Sequence, residues 1–249
     1  MSKFKALVWC CEHHPYMSQK AQARILRLVR ETQGLTHLIR LGDVFEAAAA
    51  SRHSDEHEHT LNDEYEAAGR FTANLNEAAP KLRKVWTLGN HDDNLQAKDA
   101  RRIPKTLRDL SHWNAHAKWG SAFREWQQIP YVKAREGIFR LGNVLFFHGF
   151  DAGSNSDETE GLQAAYLCGG HGNLLSVRGH THRPLPPTPA RKSRTVPLSH
   201  HYMNVGTVGP LKPNYARRLS TIEWGFGAAI IEGSTRPSLS RNWSAQLLQ

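Results

Sequence analysis

Apolar positions fall in short runs broken by polar residues, and their spacing changes along the chain. Lys5–Cys10 is a short apolar stretch rich in Val and Trp, which predicts a buried strand. Ser18 stands at a helix N-cap position. After it Ala21, Ile25, Leu28 and Val29 recur at helical spacing and form one stripe, with Gly34 placed to end the helix. His37–Leu41 reads as a second strand, stopped by Gly42. Leu61, Tyr65, Ala68, Thr72 and Leu75 mark a second amphipathic helix that ends before Pro80. Lys84–Leu88 is a third strand. The first ninety residues therefore run β-α-β-α-β, a pattern that predicts a parallel sheet with helices packed on it.

Beyond this point the pattern weakens. Asp99–Tyr131 holds Trp113, Trp119 and Trp126 among many charges and has no strong period, so it is read as helices and loops capping a site. Gly137–Arg140 and Val144–Phe147, joined through Leu141–Asn143, suggest a hairpin. Leu175–Arg178, His201–Val205 and Thr221–Ile231 are further predicted strands. Arg183–Pro197, with five prolines, reads as an irregular loop. No repeat or linker divides the 249 residues, so residues 1–249 are expected to form a single domain with a cap insertion around 99–131.

Composition narrows the class. A hydrophobic fraction of 39% and a mean hydropathy of −0.56 describe a soluble globular chain. No apolar run approaches the about 20 residues needed to span a bilayer. The apolar run near the N-terminus passes at once into Glu12-His13-His14, which is unlike a signal peptide, so a cytoplasmic location and no membrane partner are expected. Cys10, Cys11 and Cys168 cannot all pair, and a bridge between the adjacent two would be strained; reduced thiols are expected. The net charge of +9 favours polyanionic partners, nucleic acid among them, or serves solubility alone.

Polar residues gather at the ends of the predicted strands. Cys11-Glu12-His13-His14 follows the first, Gly42-Asp43-Val44-Phe45-Glu46 the second and Gly89-Asn90-His91-Asp92 the third. His148-Gly149 follows the hairpin, and Gly179-His180-Thr181-His182 follows Leu175–Arg178. Ligands of open α/β sheets bind at the carboxyl ends of strands, so five such segments can converge in one cleft. Imidazole and carboxylate together suit divalent transition metals. A lone Gly-Asp is usually a turn and a lone His usually structural; the order and spacing of all five segments carries the signal.

These segments resemble the calcineurin-like metallophosphoesterase superfamily, whose pattern is Asp-x-His, Gly-Asp-x-x-(Asp/Glu), Gly-Asn-His-(Asp/Glu), His-Gly and Gly-His-x-His. The resemblance covers roughly residues 5–232 and includes Asn204-Val205-Gly206-Thr207, similar to the family's Asn-x-Gly-Ser segment. It implies an α/β fold of four layers, an α/β/β/α sandwich, around a dinuclear metal site. It also implies that His13, Asp43 and His182 hold one ion. Asp43, Asn90, His148 and His180 would hold the other, with Asp43 as the bridge. His91 would contact the phosphate together with Asn90 and assist the leaving oxygen, and Asp92 would orient His91. The implied cofactors are two divalent ions, Mn2+ ahead of Zn2+ or Fe2+. The implied substrate is a phosphoester: a phosphodiester of a nucleic acid or nucleotide ahead of a phosphomonoester or phosphoprotein, with a binding module that lost catalysis as the other class. The motifs set no oligomeric state.

One position departs from the pattern. Cys11 stands where the family has its first Asp, and it shares strand parity with His13. A Cys11 thiolate can itself be a ligand and favour softer ions. Glu12 or His14 can substitute from the loop. Or the first ion is weakly held. All three readings stay open from sequence. Elsewhere, His53, His57 and His59 form a third metal site or a solvated acidic loop. Arg101, Arg102, Lys105 and Arg108 form a phosphate contact or a solvated helix face. Arg183 and Arg217-Arg218 carry the same two readings, and the tryptophans either pack or stack on bases.

Overall fold

The structure is a computed structural model that describes residues 2–47, 59–95, 112–169, 172–191, 199–212 and 223–249. His53, His57, the Arg101–Arg108 segment and Arg217-Arg218 lie outside the described residues, as does most of the first half of the expected cap.

Strand β1 (Lys3–Trp9) carries the logic of the whole fold. Its residues alternate between two faces, as a period of two requires. Leu7 and Trp9 enter one core with helices α1 (Gln19–Glu31) and α2 (Leu61–Ala78), while Phe4, Ala6 and Val8 enter a second core. Both faces are covered from Ala6 onward, so the strand is apolar there, while Lys3 and Lys5 lie at its less buried start. Strands β2 (His37–Arg40) and β3 (Arg83–Thr87) extend the parallel sheet. Ser18 caps α1, its hydroxyl accepting from the Ala21 amide, and Ala21, Ile25 and Val29 are the buried stripe. Thr60 and Asp63 form a reciprocal capping box at the start of α2. Two short helices, α3 (Asn90–Asn94) and α4 (Gly120–Arg124), follow β3.

The first sheet has six strands in the order β11-β10-β1-β2-β3-β4. Strands β4 (Gln127–Ile129), β10 (Ala228–Ser234) and β11 (Trp243–Leu248) complete it. The second sheet has five strands in the order β5-β6-β7-β9-β8. They are β5 (Phe139–Leu141), β6 (Val144–Phe146), β7 (Leu174–Arg178), β8 (Leu185–Pro189) and β9 (His200–Asn204). Val144, Phe146, Leu175, Val177 and Met203 meet the inner face of the first sheet. On the outer face Leu145, Phe147 and Leu174 pack under α5 (Ser156–Leu167), through Ala164 and Ala165. Helices, sheet, sheet and helix thus make the expected α/β/β/α sandwich. Among the described residues no helix is long and apolar enough to cross a membrane.

Three local expectations are corrected, and one element is unforeseen. Trp113 and Trp126 do not sit in a cap over a site: they are buried in the helix-side core, with Trp119 packed against it over Gly69. Gln127–Ile129 is not loop but the strand that pairs in parallel with β3. Leu185–Pro189 is not irregular but an antiparallel edge strand on β9, with a register irregularity between Leu185 and Thr188; prolines are tolerated at an edge, where no ladder donor is missed. Helix α5 has no counterpart in the sequence pattern, because its buried positions include Ser156, Asp157, Glu160 and Gly161, which form no apolar stripe.

Candidate metal centre

The parallel strands β1, β2 and β3 of one sheet and β6, β7 and β9 of the other send their carboxyl ends to one edge of the sandwich, where the motif segments meet. The turns there are tight. Cys11, His13, Asp43, His180 and His182 all have positive φ, between 49° and 66°. For a residue with a side chain this backbone costs about 1–2 kcal/mol, so five such residues at one site is strain held for a purpose. Two glycines supply the clearance. At Gly42 φ is 82° and an added Cβ would lie 2.5 Å from the Gly89 nitrogen; at Gly89 it would collide with Asp43 Oδ1.

Asp43 is the centre. Its Oδ2 lies 3.1 Å from His148 Nε2 and 3.9 Å from His13 Nε2, and its Oδ1 accepts the His91 amide at 3.0 Å. On one side, His148 Nε2 lies 3.1 Å from His180 Nδ1 and 3.2 Å from Asn90 Oδ1. On the other, His13 Nε2 lies 3.3 Å from His182 Nε2, and Cys11 Sγ joins these two rings in one donor cluster. The expected ligands are therefore brought together in two groups: Asp43, Asn90, His148 and His180 in one, and Cys11, His13 and His182 beside Asp43 in the other.

The donor chemistry fits cations. His13 Nδ1 faces Glu46 Oε2 at 2.8 Å and His148 Nδ1 faces the Leu41 carbonyl. Each contact commits Nδ1 as the donor and leaves Nε2 with its lone pair toward the centre, the carboxylate– or carbonyl–histidine arrangement that supports metal ligands. Two nitrogens about 3 Å apart match ligands spaced around one ion at about 2.0–2.1 Å. Without an ion a proton must fill each gap. Burial works against the His13 cation, but the Glu46 carboxylate overrides it and raises the pKa to about 9. His148 is likewise disfavoured by burial yet lifted well above its ordinary value by Asp43. Their partners move the other way: burial and then the charge on His148 push His180 down to about 3, and burial and then His13 push His182 well below the ordinary range.

The structure also sorts the alternatives at the first motif. Glu12 Oε1 accepts from Trp9 Nε1 at 2.7 Å and pairs with Arg40 Nε at 2.9 Å, and its Oε2 meets His14 Nε2 at 3.0 Å. Both Glu12 and His14 are thus committed to a buried network that faces the helices, away from the centre. Cys11 is the residue whose donor atom reaches it. Burial and then the neighbouring Cys10 raise the Cys11 thiol well above its ordinary pKa, so the thiolate forms only with a cation at hand.

Asp92 is the clearest correction. It does not orient His91. Its Oδ1 accepts the Val44 and Phe45 amides at 2.9 and 3.2 Å, and its Oδ2 accepts the Gly89 amide at 3.0 Å and Trp86 Nε1 at 3.1 Å. It clamps the second motif to the third. His91 is oriented instead by Glu46, whose carbonyl accepts from Nδ1 at 2.5 Å. His91 is half-buried beside the His13 ring, and its Nε2 has no hydrogen-bond partner among the described residues. Arg183 does not stand free for a phosphate; its Nε lies 3.2 Å from Glu223 Oε2.

Two supports have little or no sequence signal. Arg178, just before Gly179, is buried and pairs with Glu160 at 2.9 Å and Asp157 at 3.5 Å, while its Nη2 donates to the Asp151 carbonyl. Glu160 in turn accepts the Phe150 and Asp151 amides. Helix α5 thereby braces the turns carrying His148 and His180. Asn204 donates to the Gly179 carbonyl and Thr181 Oγ1, and Thr207 donates to the Cys11 carbonyl at 2.8 Å. Their only sequence signal is the Asn204–Thr207 segment, which thus holds turns rather than ions.

No protein-family model matches the chain, and no curated protein does. Solved structures do. A conserved uncharacterized protein from Streptococcus pneumoniae, described as a predicted phosphoesterase, is 12% identical over 100% of this chain and 91% of its own, with a TM-score of 0.39. Vacuolar Protein Sorting 29 of Cryptosporidium parvum is 12% identical over 99% of this chain and 98% of its own, and that of Chaetomium thermophilum 12% over 98% and 93%; both have TM-scores of 0.42. At this distance the functional reading rests on the site's own geometry. The layered sandwich and the convergence of the motif segments at one sheet edge are the fold and the arrangement that the motif resemblance implies.

Proposed function

We propose that the protein is a metal-dependent phosphoester hydrolase acting on phosphodiesters, with nucleic acid or nucleotides as the substrate class. The observation that carries this reading is the pair of donor clusters sharing Asp43. Asp43, Asn90, His148 and His180 would hold one divalent ion; Cys11, His13, Asp43 and His182 would hold the other. Such ions supply charge neutralisation of the phosphoryl oxygens and acidify water. The oxygen and nitrogen donors of the Asp43, Asn90, His148 and His180 set suit Mn2+, whereas a thiolate from Cys11 in the other set favours Zn2+ or Fe2+.

The chain's own groups do the rest. His91, held through Nδ1 by Glu46, presents Nε2 to the phosphate and to the departing oxygen, where a proton or a positive charge is needed. Asn90 contributes an amide beside it. The charge of +9 supports a polyanionic substrate. The test is turnover of bis-p-nitrophenyl phosphate, p-nitrophenyl phosphate and single-stranded DNA with Mn2+, Zn2+ or Fe2+, alongside metal content. Diester hydrolysis that His91→Ala loses while keeping its metals supports the reading. Metal binding without turnover of any substrate overturns it in favour of a binding module, and a monoester preference overturns the diester assignment.

A further inference from the structure

The two adjacent cysteines do more than replace one carboxylate. Cys10 ends the apolar strand with its side chain in the inter-sheet core, and its Sγ donates to the Leu41 carbonyl at 2.8 Å. Cys11 turns the other way through its positive φ of 57°, which brings its Sγ back to 3.0 Å from Cys10 Sγ. A disulfide needs about 2.05 Å, so closure asks about 1 Å of movement. Gly179 is packed directly over Cys10, where an added Cβ would collide with Sγ, so the sulfur has no room to swing away. Cys11 Sγ is also the donor that completes the cluster with His13 and His182. The same sulfur is therefore a ligand atom and one half of a pre-aligned dithiol, and because both cysteines are buried only an oxidant close to water in size suits the site.

We propose that Cys10 and Cys11 are a redox-modification site that controls occupancy of the first metal position, with hydrogen peroxide as the oxidant class. The Cys11 sulfur attacks the peroxide O–O bond and becomes a sulfenic acid as water leaves. Cys10 then attacks that sulfur, forming the S–S bond and releasing a second water. Two thiols lose two electrons and peroxide gains them. The disulfide sulfur no longer offers a thiolate, so the ion held by His13 and His182 is released, whereas Asp43, Asn90, His148 and His180 keep all their donor atoms, with Cys10 Sγ meeting only the far nitrogen of His148, at 3.7 Å. Consecutive Cα atoms are about 3.8 Å apart, below the usual disulfide range of about 4.4 Å and upward, so the bridge is strained and thiols reverse it.

The metal part rests on the proposed two-ion reading; the thiol part does not. The experiment uses the full chain, reduced and loaded with zinc, titrated with hydrogen peroxide. Intact mass is expected to fall by about 2 Da, with Cys10 and Cys11 protected from alkylation and Cys168 alkylated. One zinc per chain is expected to appear on a chromogenic chelator, and dithiothreitol should restore both. Cys10→Ser, checked for folding by circular dichroism, should lose the mass change and stop at an over-oxidised Cys11. Sulfinic acid at Cys11 with Cys10 still alkylatable overturns the proposal, as do thiols that stay reduced, or a disulfide formed without zinc release. Reduced protein that binds no zinc fails the two-ion reading instead, and the mass change then stands or falls separately.

Discussion

Replacing Asp92 with Asn separates a clamp from a catalytic orienter. The substitution keeps size and shape but leaves one carbonyl oxygen where the carboxylate had two. Each carboxylate oxygen accepts two N–H groups in the buried interior. In the Asp92→Asn variant one pair of donors faces an NH2 group that cannot accept. Two buried hydrogen bonds to a charged acceptor are lost, at about 1.5–3 kcal/mol each, or about 3–6 kcal/mol together. Against a total of about 5–15 kcal/mol, that is a large fraction. Burial and then the Asp43 charge raise Asp92 to about 7 from 3.8, so ionisation costs the folded state as pH rises through 7 and the neutral Asn recovers part of the loss; the measurement is made at about pH 8, where the carboxylate accepts all four N–H groups, and reads the net. Urea unfolding followed by circular dichroism should show a midpoint lowered by at most about 1–2 M at unchanged slope, taking a slope of about 3 kcal/mol/M. A loss below about 1 kcal/mol, together with a collapse of turnover, would refute the clamp and return Asp92 to His91.

Three further outcomes are expected. Glu46→Gln removes the carboxylate that fixes His13, and the affinity for the first ion should fall about 10–100-fold by titration with a competing chelator while the second is unchanged; equal loss at both positions contradicts the assignment. Because His13 holds a proton up to about pH 9, ions displace that proton, so affinity should rise as pH rises toward 9 and calorimetry in buffers of different ionisation enthalpy should register proton release; a flat profile contradicts the histidine pairing. Burial and then His201 push His200 down to about 4 from its ordinary 6.5. With a depressed folded value, full stability is present above 6.5 and is lost as pH falls toward 4, by at most about 3 kcal/mol. His200→Gln should flatten that part of the stability profile, and an unchanged slope in the variant would assign it to other groups.

How much is legible in the sequence depends on what each residue answers to. Periodicity is a local property, so β1, α1, β2, α2 and β3 are readable to within a residue or two: Ser18, the Ala21–Ile25–Val29 stripe and the apolar run before Glu12 each declare themselves. The ligand set is readable because metal chemistry restricts residue types, and the tight turns that carry them need glycine beside them. The resemblance then orders these residues into two ions.

The sequence by itself thus determined the layered α/β class, the strands that carry the site and the residues that gather there. Tertiary structure alone decided what surrounds them. Helix α5 hid because its inward face is charged, and it is charged because Arg178, distant in sequence, sits across from it. Strands β4 and β8 hid because an edge strand is chosen by the neighbour it pairs with rather than by its own propensity, which is how Gln127 and three prolines come to lie in sheets. The roles of Asp92, Glu46 and Cys11 hid because a side chain's partners are fixed by angles and distances that no spacing records. Asp92 spends four acceptor positions on motif backbone and an indole, Glu46 serves two histidines, and a turn of positive φ aims Cys11 at the first ion's ligands and back at Cys10.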